Sequence, residues 1–295
     1  MAQAAPIPVI LNPAARSAKA ASRVAQIRAL SSRLEIHETR GPRDARRIAR
    51  ELAEAGAPVI VAAGGDGTVN EVIHGLCEAP VAEKPALGLL PTGTMNVLAR
   101  ELALPAGDLG RCWAIVEAGR SRKIDLWRAG ESLFAQMAGV GLDAAVVAAT
   151  SWESKKKWGP LSYAISLVRA LGGFAPEFEV TADGFDSPFS GSAVIVGNGK
   201  LYGGPFPVFR AARNDDGLLD VLVLHRHGFA EFFGLLTDVI FGRLAEHSAV
   251  YSSIQTKRLT VSSPQGDAIP VEVDGELAGF TPVTFEHAGT LTVLV

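Results

Sequence analysis

The sequence is poor in the features that mark secreted, membrane-spanning and nucleic-acid-binding proteins. It contains two cysteines, Cys77 and Cys112, which have neither the spacing of metal ligands nor the number of a disulfide framework. A reducing, cytoplasmic location is the simplest expectation. Residues 1–8 lack a basic segment leading into a long apolar one, and no apolar run has membrane-spanning length, so neither a secretory signal nor a transmembrane helix is expected. The formal net charge of -3 gives no electrostatic basis for binding nucleic acid.

What the sequence does contain is enough apolar material for packed cores. Its 295 residues are 48% hydrophobic and 20% charged, a composition unlike that of disordered chains. This length suits two domains of ordinary size or one large domain. We find no internal repeat and no low-complexity tract, so the fold has to be inferred from local patterns.

The most informative stretch is the glycine-rich segment 64–70, of sequence GGDGTVN. A β-branched run at 59–61 precedes it and is typical of a buried parallel strand. Thr68 and Glu71 have the spacing of a capping box, which predicts that a helix begins at Thr68. The apolar stripe of that helix consists of Val69, Val72, Ile73 and Leu76. The glycines thus lie where a strand ends and a helix begins, a turn whose free N–H groups commonly bind phosphate.

Asp66 lies in the middle of this turn. A carboxylate there would repel a phosphate unless a divalent cation bridges the two groups or the carboxylate takes part in a proton transfer. The segment has neither the Lys-Ser/Thr ending of a P-loop nor the spacing of a dinucleotide-binding fingerprint. The residues alone therefore favour phosphate or nucleotide binding, with an ordinary strand-to-helix turn as the alternative.

Residues 1–119 alternate strands with helices. Strands are predicted at 7–11, 34–39, 59–61 and 87–90, with helices at 17–30 and 44–55 and after each of the turns 64–70 and 92–96. This alternation predicts an α/β domain with a parallel sheet covered by helices on both faces. Because ligands of such sheets bind beyond the carboxyl ends of the strands, we expect Asn12, Thr39 and the two turns to meet at one edge.

Residues 120–295 have a different pattern, in which short strands predominate. Short predicted strands, punctuated by Gly, Asp and Pro, recur at 123–127, 133–140, 177–181, 192–196, 218–224, 258–262, 270–273 and 290–295. Helical patterns interrupt them at 160–171 and 229–242. The pattern predicts a second, mostly antiparallel β domain, with a cleft between the two domains.

Two basic clusters each allow a structural and a functional interpretation. The arginines at 43, 46, 47 and 50 form either a solvated helical face or a docking surface for anionic lipid headgroups. The segment 152–158 contains two tryptophans and three lysines, and it is either an exposed loop or a membrane-interface contact.

Two acidic positions are equally open on sequence grounds. Asp216 belongs to an Asp-Gly turn that opens a strand, and the oxygen atoms of such a turn would also suit magnesium. Glu276 follows a predicted hairpin tip at Asp274-Gly275, and its side chain projects either into water or into a cleft.

Together, these stretches resemble the diacylglycerol kinase catalytic-domain family of lipid kinases, which includes bacterial diacylglycerol kinases and sphingosine kinases. The matching segments keep the family's order along nearly the whole chain: Asn12-Pro13, Gly64–Glu71, Pro91–Asn96 with Ala99-Arg100, Ile124-Asp125, Gly139–Asp143, Asn198-Gly199 with Gly203-Gly204, Asp216–Asp220 and Asp274–Glu276. Gly-Gly-Asp-Gly-Thr is shared with NAD kinases and phosphofructokinases, whereas the Gly-Thr-x-Asn turn and the C-terminal Asp-Gly-Glu indicate a lipid kinase.

The resemblance implies roles for individual residues. Glu276 would be the general base that takes the proton from the lipid hydroxyl, Asp66 would lie beside the phosphates and magnesium, and Asp125 would lie near the active site. The ATP site would be lined by Asn12, Thr39, Gly64, Gly65, Asp66, Gly67, Thr68, Asn70 and Thr94. A structural magnesium would be bound by Asp216 and by backbone oxygens of Arg213 and Leu218, although the Arg213 side chain is ill-suited to a metal. Gln136 stands where the family is expected to have Asn.

The implied reaction transfers the γ-phosphoryl group of ATP, with magnesium, to a lipid alcohol, by default diacylglycerol, to give phosphatidic acid. A sphingoid base, a ceramide or another lipid alcohol is the alternative acceptor. An NAD kinase-like enzyme and a catalytically inactive nucleotide- or lipid-binding regulator are the more distant alternatives. The resemblance implies a cytoplasmic protein that associates peripherally with the inner face of the membrane. A homodimer is left open, and nucleic acid is not expected as a partner.

Overall fold

The computed structural model of the chain describes residues 5–13, 18–141, 177–225, 234, 237–239, 241–244 and 248–295. Contacts divide the chain into two compact units, which we call unit 1 (Met1–Ile124 with Thr290–Val295) and unit 2 (Asp125–Gly289). The division after residue 119 that the sequence suggests stays a prediction. The basic segment 152–158, the helical pattern at 160–171 and most of the pattern at 229–242 lie outside the described residues.

Unit 1 is built on parallel strands that alternate with helices. Its elements are β1 (Ile7–Leu11), α1 (Ala18–Arg28), β2 (Leu34–Glu38), α2 (Asp44–Glu54), β3 (Val59–Gly64), α3 (Asp66–Glu78), β4 (Ala86–Pro91), α4 (Val97–Glu101) and α5 (Leu109–Ala118). The strand order is β2-β1-β3-β4, with every pair parallel. The predicted α/β architecture is confirmed, whereas α5 is an addition that the sequence patterns did not include.

The start of α3 differs from the prediction. The helix begins at Asp66, two residues before Thr68, and neither member of the expected capping box caps it. The Thr68 hydroxyl accepts a hydrogen bond from the Asn12 side chain at 3.0 Å. The Glu71 carboxylate accepts the backbone N–H groups of Arg43 and Ala45, at 2.8 and 3.0 Å, and so caps the N-terminus of α2. Tertiary partners have replaced the local ones.

Unit 2 contains antiparallel strands in two layers. Its strands are β5 (Ser121–Ala129), which enters from unit 1, β6 (Ser132–Phe134), β7 (Met137–Val140), β8 (Phe178–Ala182), β9 (Phe189–Gly191), β10 (Ala193–Gly197), β11 (Leu201–Tyr202), β12 (Phe206–Pro207), β13 (Leu219–Leu224), β14 (Tyr251–Thr256), β15 (Arg258–Ser262), β16 (Pro270–Val273), β17 (Glu276–Phe280) and β18 (Val283–Leu294). One layer has the order β14-β13-β10-β7-β16-β17. The other includes β18-β15-β8-β9 and β5 with β6, whereas β11 and β12 pair in a separate two-stranded sheet.

The core of unit 2 explains why these strands form two layers. Residues from both layers share one buried apolar cluster, in which Trp127, Phe134, Phe178 and Phe285 are all fully buried. Phe134 and Phe285 meet edge to face, with their ring centroids 6.2 Å apart. The predicted antiparallel β architecture is therefore confirmed. The end of β18 returns to unit 1, where Val293 lies beside Leu87 of β4 in parallel register.

One predicted strand, 133–140, is interrupted at 135–136. The N–H groups of Ala135, Gln136 and Met137 donate to the carboxylate of Asp274, at 2.9, 3.1 and 3.0 Å. Backbone groups that bond a side chain in this way cannot all join a strand ladder, so β6 ends and β7 begins around this point. No helix within the described residues is both long and apolar enough to cross a membrane.

Candidate active site

The carboxyl edge of the unit 1 sheet brings four segments together. Backbone hydrogen bonds link them in sequence: Asn12 N–H to Ala63 at 3.1 Å, Thr39 N–H to Leu11 at 2.9 Å, and Thr92 N–H to Gly64 at 2.9 Å. Asn12, Thr39 and the two glycine-rich turns thus share one edge, as the strand pattern predicts. The side chains of Thr39, Thr68 and Asn70 are buried there, whereas Gly67 and Thr94 are exposed.

Asp66 ties the two glycine-rich turns together. Its carboxylate oxygens accept the backbone N–H groups of Asn96 and Val97, at 2.9 and 2.6 Å, where α4 begins. These two bonds fix the Asp66 carboxylate in place and join the two turns. The sequence pointed to Asp66 as an acidic group within the turn, but it did not reveal that Asp66 caps a second helix.

The two turns approach each other so closely that they leave no room for side chains. A Cβ atom built on Gly93 would lie 2.5 Å from the Gly65 Cα atom, and one built on Gly65 would lie 3.2 Å from the Gly93 Cα atom. The glycines therefore allow backbone to pack on backbone at the sheet edge.

Two amide oxygens at this edge have no hydrogen-bond partner within the part of the chain that the structure describes. They are the Oδ1 atoms of Asn70 and Asn96, both on side chains of residues that are 7% exposed. Buried polar atoms nearly always bond to something in folded proteins. Together with the first-turn N–H groups of α3, which have no intrahelical acceptors, these oxygens suit the edge to a polar ligand.

In unit 2, Asp125 is buried and held from several sides. Its carboxylate accepts the Gly217 N–H at 2.8 Å, and the other oxygen lies 2.9 Å from Nε2 of His287. Its backbone N–H donates to the Asn214 carbonyl at 2.7 Å. Asp125 is 5% exposed. Its contacts with Gly217 and His287 fix the position of the carboxylate.

Asn198 is a site residue whose local role was missed in the sequence. The fully buried amide accepts from the Trp127 indole at 2.8 Å and donates to the carbonyls of Asp125 and Ala135, at 2.8 and 2.7 Å. The Trp127 ring in turn meets His287 edge to face, with ring centroids 5.3 Å apart. No local pattern reports such a network because its members come from different strands; only the Asn198-Gly199 segment of the family resemblance pointed to it.

The hairpin formed by β16 and β17 carries Glu276. Asp274 and Gly275 both have positive φ, 47° and 83°, as the predicted two-residue turn requires. The fully buried Glu272 supports the turn, since its carboxylate accepts the Gly275 N–H at 2.9 Å. The first residue after the turn is Glu276, which is exposed and pairs with Val273 across the hairpin.

The predicted metal ligands lie in a turn before β13. One Asp216 oxygen accepts the Leu218 N–H at 3.1 Å, and the Arg213 guanidinium pairs with Asp215 at 3.1 Å. Within the described residues, no group of three or more His, Cys, Asp or Glu side chains could hold a metal. A site here would therefore depend on backbone oxygens beside Asp216, and it stays a prediction.

Asp220 is a buried acidic group four residues further on, 8% exposed. Its Oδ1 atom accepts from the Gln255 side chain at 3.0 Å, while Oδ2 has no partner within the described part of the chain. Burial raises the pKa of the Asp220 carboxyl from 3.8 to about 6, against the lowering effect of the Gln255 bond and with added repulsion from Asp216.

This raised pKa predicts a pH-dependent stability. A carboxyl whose pKa is higher in the folded protein loses stabilising free energy as the pH rises from the unfolded pKa through the folded one. We expect Asp220→Asn, in the presence of EDTA, to stabilise the protein over the parent by about 2 kcal/mol more at pH 8 than at pH 4. Urea denaturation at the two pH values measures the difference, and an equal effect at both would contradict the prediction.

Three of the four arginines in the basic cluster at 43–50, all within α2, pair with nearby carboxylates. Arg46 pairs with Glu78 of α3, and Arg47 pairs with Asp44 and Glu51. Arg50 pairs with Glu54 at 2.7 Å. These intramolecular pairs support the interpretation of a solvated helical face rather than a lipid-docking surface.

Comparison with known proteins supports one assignment for both units. A family model described as diacylglycerol kinase catalytic domain matches residues 6–129, and one described as YegS C-terminal NAD kinase beta sandwich-like domain matches residues 136–295. A diacylglycerol kinase of Bacillus subtilis (strain 168) is 31% identical over 252 residues, which cover 84% of this chain and 81% of its own. A diacylglycerol kinase of Staphylococcus aureus (strain JH9) is 30% identical, covering 77% of this chain and 70% of its own.

Solved structures support the same fold. A crystal structure of a diacylglycerol kinase from Bacillus anthracis str. Sterne superposes with a TM-score of 0.73 at 22% identity, covering 98% of this chain and 96% of its own. A second crystal structure from that organism gives a TM-score of 0.78 at 25% identity, covering 98% of this chain and 97% of its own. The family models and the named relatives define a phosphotransferase. The chain belongs to the diacylglycerol kinase catalytic-domain family of ATP-dependent lipid kinases.

Proposed function

We propose that this lipid kinase phosphorylates diacylglycerol with ATP and magnesium to give phosphatidic acid. The observation that carries the proposal is the carboxyl edge of unit 1, where Asp66 joins two closely packed glycine turns. Relatives at 30% and 31% identity are named diacylglycerol kinase, which supports that acceptor over a sphingoid base, a ceramide or another lipid alcohol.

Unit 1 is proposed to bind ATP. The N–H groups of the first turn of α3 and of residues 93–95 would donate to phosphate oxygens. The half-buried side chain of Asn12 and the buried side chains of Thr39, Thr68 and Asn70 would bind polar groups of the nucleotide. The Asn70 Oδ1 atom, which has no partner among the described residues, supports such a role. Thr94 is exposed, so its hydroxyl is accessible to a ligand.

Unit 2 is proposed to supply the base. Glu276 is exposed at the start of β17, and the turn before it is held by Glu272 and Asp274. In the reaction, the acceptor hydroxyl loses its proton to the Glu276 carboxylate, and its oxygen forms a bond to the γ-phosphorus. The bond between that phosphorus and the β–γ bridging oxygen breaks, and ADP leaves.

A structural magnesium is proposed at the turn before β13. Asp216 with backbone oxygens of Arg213 and Leu218 would hold it, and oxygen donors of this kind suit a hard cation. The repulsion between Asp216 and the buried Asp220 supports the fit, because a cation would relieve it. When bound, magnesium would supply charge that stabilises this turn.

Transfer of label from γ-labelled ATP into lipid tests the proposed function. The parent protein is incubated with magnesium, NAD and detergent micelles that contain diacylglycerol, a sphingoid base or ceramide. The lipids are then extracted and separated, and the aqueous phase, which retains NAD, is analysed as well. We expect labelled phosphatidic acid as the main product. Labelling of another lipid would contradict the proposed acceptor, and labelling of NAD in place of lipid would contradict a lipid kinase altogether.

We also propose a membrane surface as a partner, and we consider a second copy of the chain. A lipid acceptor resides in a bilayer, so the enzyme is expected to work in the cytoplasm at the inner face of the membrane. Sedimentation with vesicles that contain diacylglycerol tests this association. Whether a homodimer forms is testable by measuring the mass in solution.

A further inference from the structure

One cation of α1 contacts the glycine turns. The Arg23 side chain is half-buried, and its Nη1 atom donates to the Thr92 carbonyl at 2.5 Å. Thr92 in turn donates its N–H to Gly64, at the end of β3. The Arg23 guanidinium therefore lies at the junction of the two turns, although α1 is far from both in the sequence.

A second arginine shows what such a bond does to the turn. Arg100 donates through Nε to the Met95 carbonyl at 2.6 Å, and across the same peptide the Asn96 N–H donates to Asp66. The C=O and N–H of a trans peptide point in opposite directions. By the same geometry, the bond from Arg23 to Thr92 directs the Gly93 N–H away from the guanidinium. Arginines thus hold turn carbonyls, which orients the N–H groups of the turn.

The charges expected at this edge are mostly negative. The nucleotide would bring several negative charges from its phosphates, and Asp66 adds another carboxylate. The two turns supply N–H groups but no Lys or Arg within 64–70 or 92–96. Arg100 is exposed, whereas the half-buried Arg23 lies where the turns meet.

Within the described residues, the Arg23 guanidinium uses only one of its N–H donors. It carries five N–H donors in a rigid fork that matches phosphate oxygens. Among the described residues, the Thr92 carbonyl is its hydrogen-bond acceptor. A partly desolvated guanidinium binds a phosphate more strongly than an exposed one, because water screens it less.

We propose that Arg23 is a phosphate-binding residue of the nucleotide site, with its remaining N–H donors directed to the polyphosphate of ATP. The inference rests on the proposed ATP site. It adds a cation to a site that is otherwise made of backbone amides, hydroxyls and amide side chains.

The affinities of the Arg23→Met variant for ATP and for adenosine distinguish two roles of Arg23. In one role it binds phosphate, and in the other it only supports the turn. We expect the dissociation constant for ATP, measured by calorimetry, to rise about 10- to 100-fold, while that for adenosine, measured by NMR titration, changes less than about twofold. Arg23→Lys, which keeps the charge, should recover part of the affinity. Arg28→Met is the matched control, since Arg28 belongs to the same helix and pairs with Glu38.

Four other outcomes would each be decisive. Equal losses for ATP and adenosine would overturn the proposal, because Arg23 would then only support the turn. Unchanged ATP affinity in Arg23→Met would overturn it as well. If the parent protein binds adenosine but gains nothing from the phosphates of ATP, no phosphate site exists at this edge. If the parent binds neither ligand, the proposed ATP site itself fails.

Discussion

Replacing Glu276 with Gln is expected to lower the turnover number for lipid phosphorylation by about 10²- to 10⁴-fold, the usual contribution of a general base. The amide has the shape of the carboxylate but cannot take the proton from the acceptor hydroxyl. Because the side chain is exposed and the turn before it is held by Glu272, we expect the midpoint of thermal unfolding to stay unchanged. Steady-state rates with γ-labelled ATP and calorimetry measure the two effects.

Glu286→Gln is the matched control for this variant. Glu286 is also an exposed glutamate on a strand of unit 2, where it lies 3.9 Å from Arg258. We expect it to keep full activity. If Glu276→Gln were as active as Glu286→Gln, Glu276 would not be the base. An unchanged KM for ATP in Glu276→Gln would locate the loss in the chemical step rather than in nucleotide binding.

Local patterns predicted the unit 1 sheet because they carry its main determinants. Each buried strand is a short apolar run, and parallel strands place their carboxyl ends at one edge. That rule alone brought Asn12, Thr39 and the two turns together. The helix α5 was predictable by the same means, since Asp108 caps it and Gly119 ends it.

Long-range side-chain bonds explain most of what the patterns missed. Thr68 and Glu71 match a capping box, yet their side-chain oxygens accept hydrogen bonds from elsewhere. Thr68 accepts from the Asn12 side chain, and Glu71 accepts from the N-terminus of α2. Asp274 interrupts a predicted strand from 137 to 139 residues away in the sequence. The same limit hid Arg23, because a lone arginine on an amphipathic helix does not indicate which carbonyl it will reach.

The two carboxylates of α3 have the same structural role, since each caps the start of another helix. Asp66 accepts N–H groups at the start of α4, and Glu71 accepts N–H groups at the start of α2. One helix thus satisfies donors of two neighbours and fixes the segments that lead into them. Because Asp66 holds the 92–96 turn, Asp66→Ala should disturb this turn as well as any phosphate chemistry. For this reason Asp66→Ala is a less specific probe of catalysis than Glu276→Gln.

Gly93→Ala is expected to disrupt the ATP site by forcing the two glycine turns apart. The added Cβ would lie 2.5 Å from the Gly65 Cα atom and 2.8 Å from Oδ1 of Asn96, so backbone as well as side chain would have to move. Overpacking of this kind costs about 1–3 kcal/mol. Separating the turns should also stretch the bonds from Asn96 and Val97 to Asp66. We expect a lower midpoint in urea denaturation and at least about a tenfold rise in the dissociation constant for ATP.

Gly107→Ala is the control that isolates the close approach. A Cβ on Gly107 would meet nothing within 4 Å, and its backbone is not left-handed. Its stability should therefore change by no more than about 0.5 kcal/mol, and ATP should bind as in the parent. If Gly93→Ala behaved like Gly107→Ala, the packing of Gly65 on Gly93 would not shape the site. If Gly93→Ala lost stability but kept its ATP affinity, the contact would matter for folding alone, and the phosphates would have to bind elsewhere along the edge.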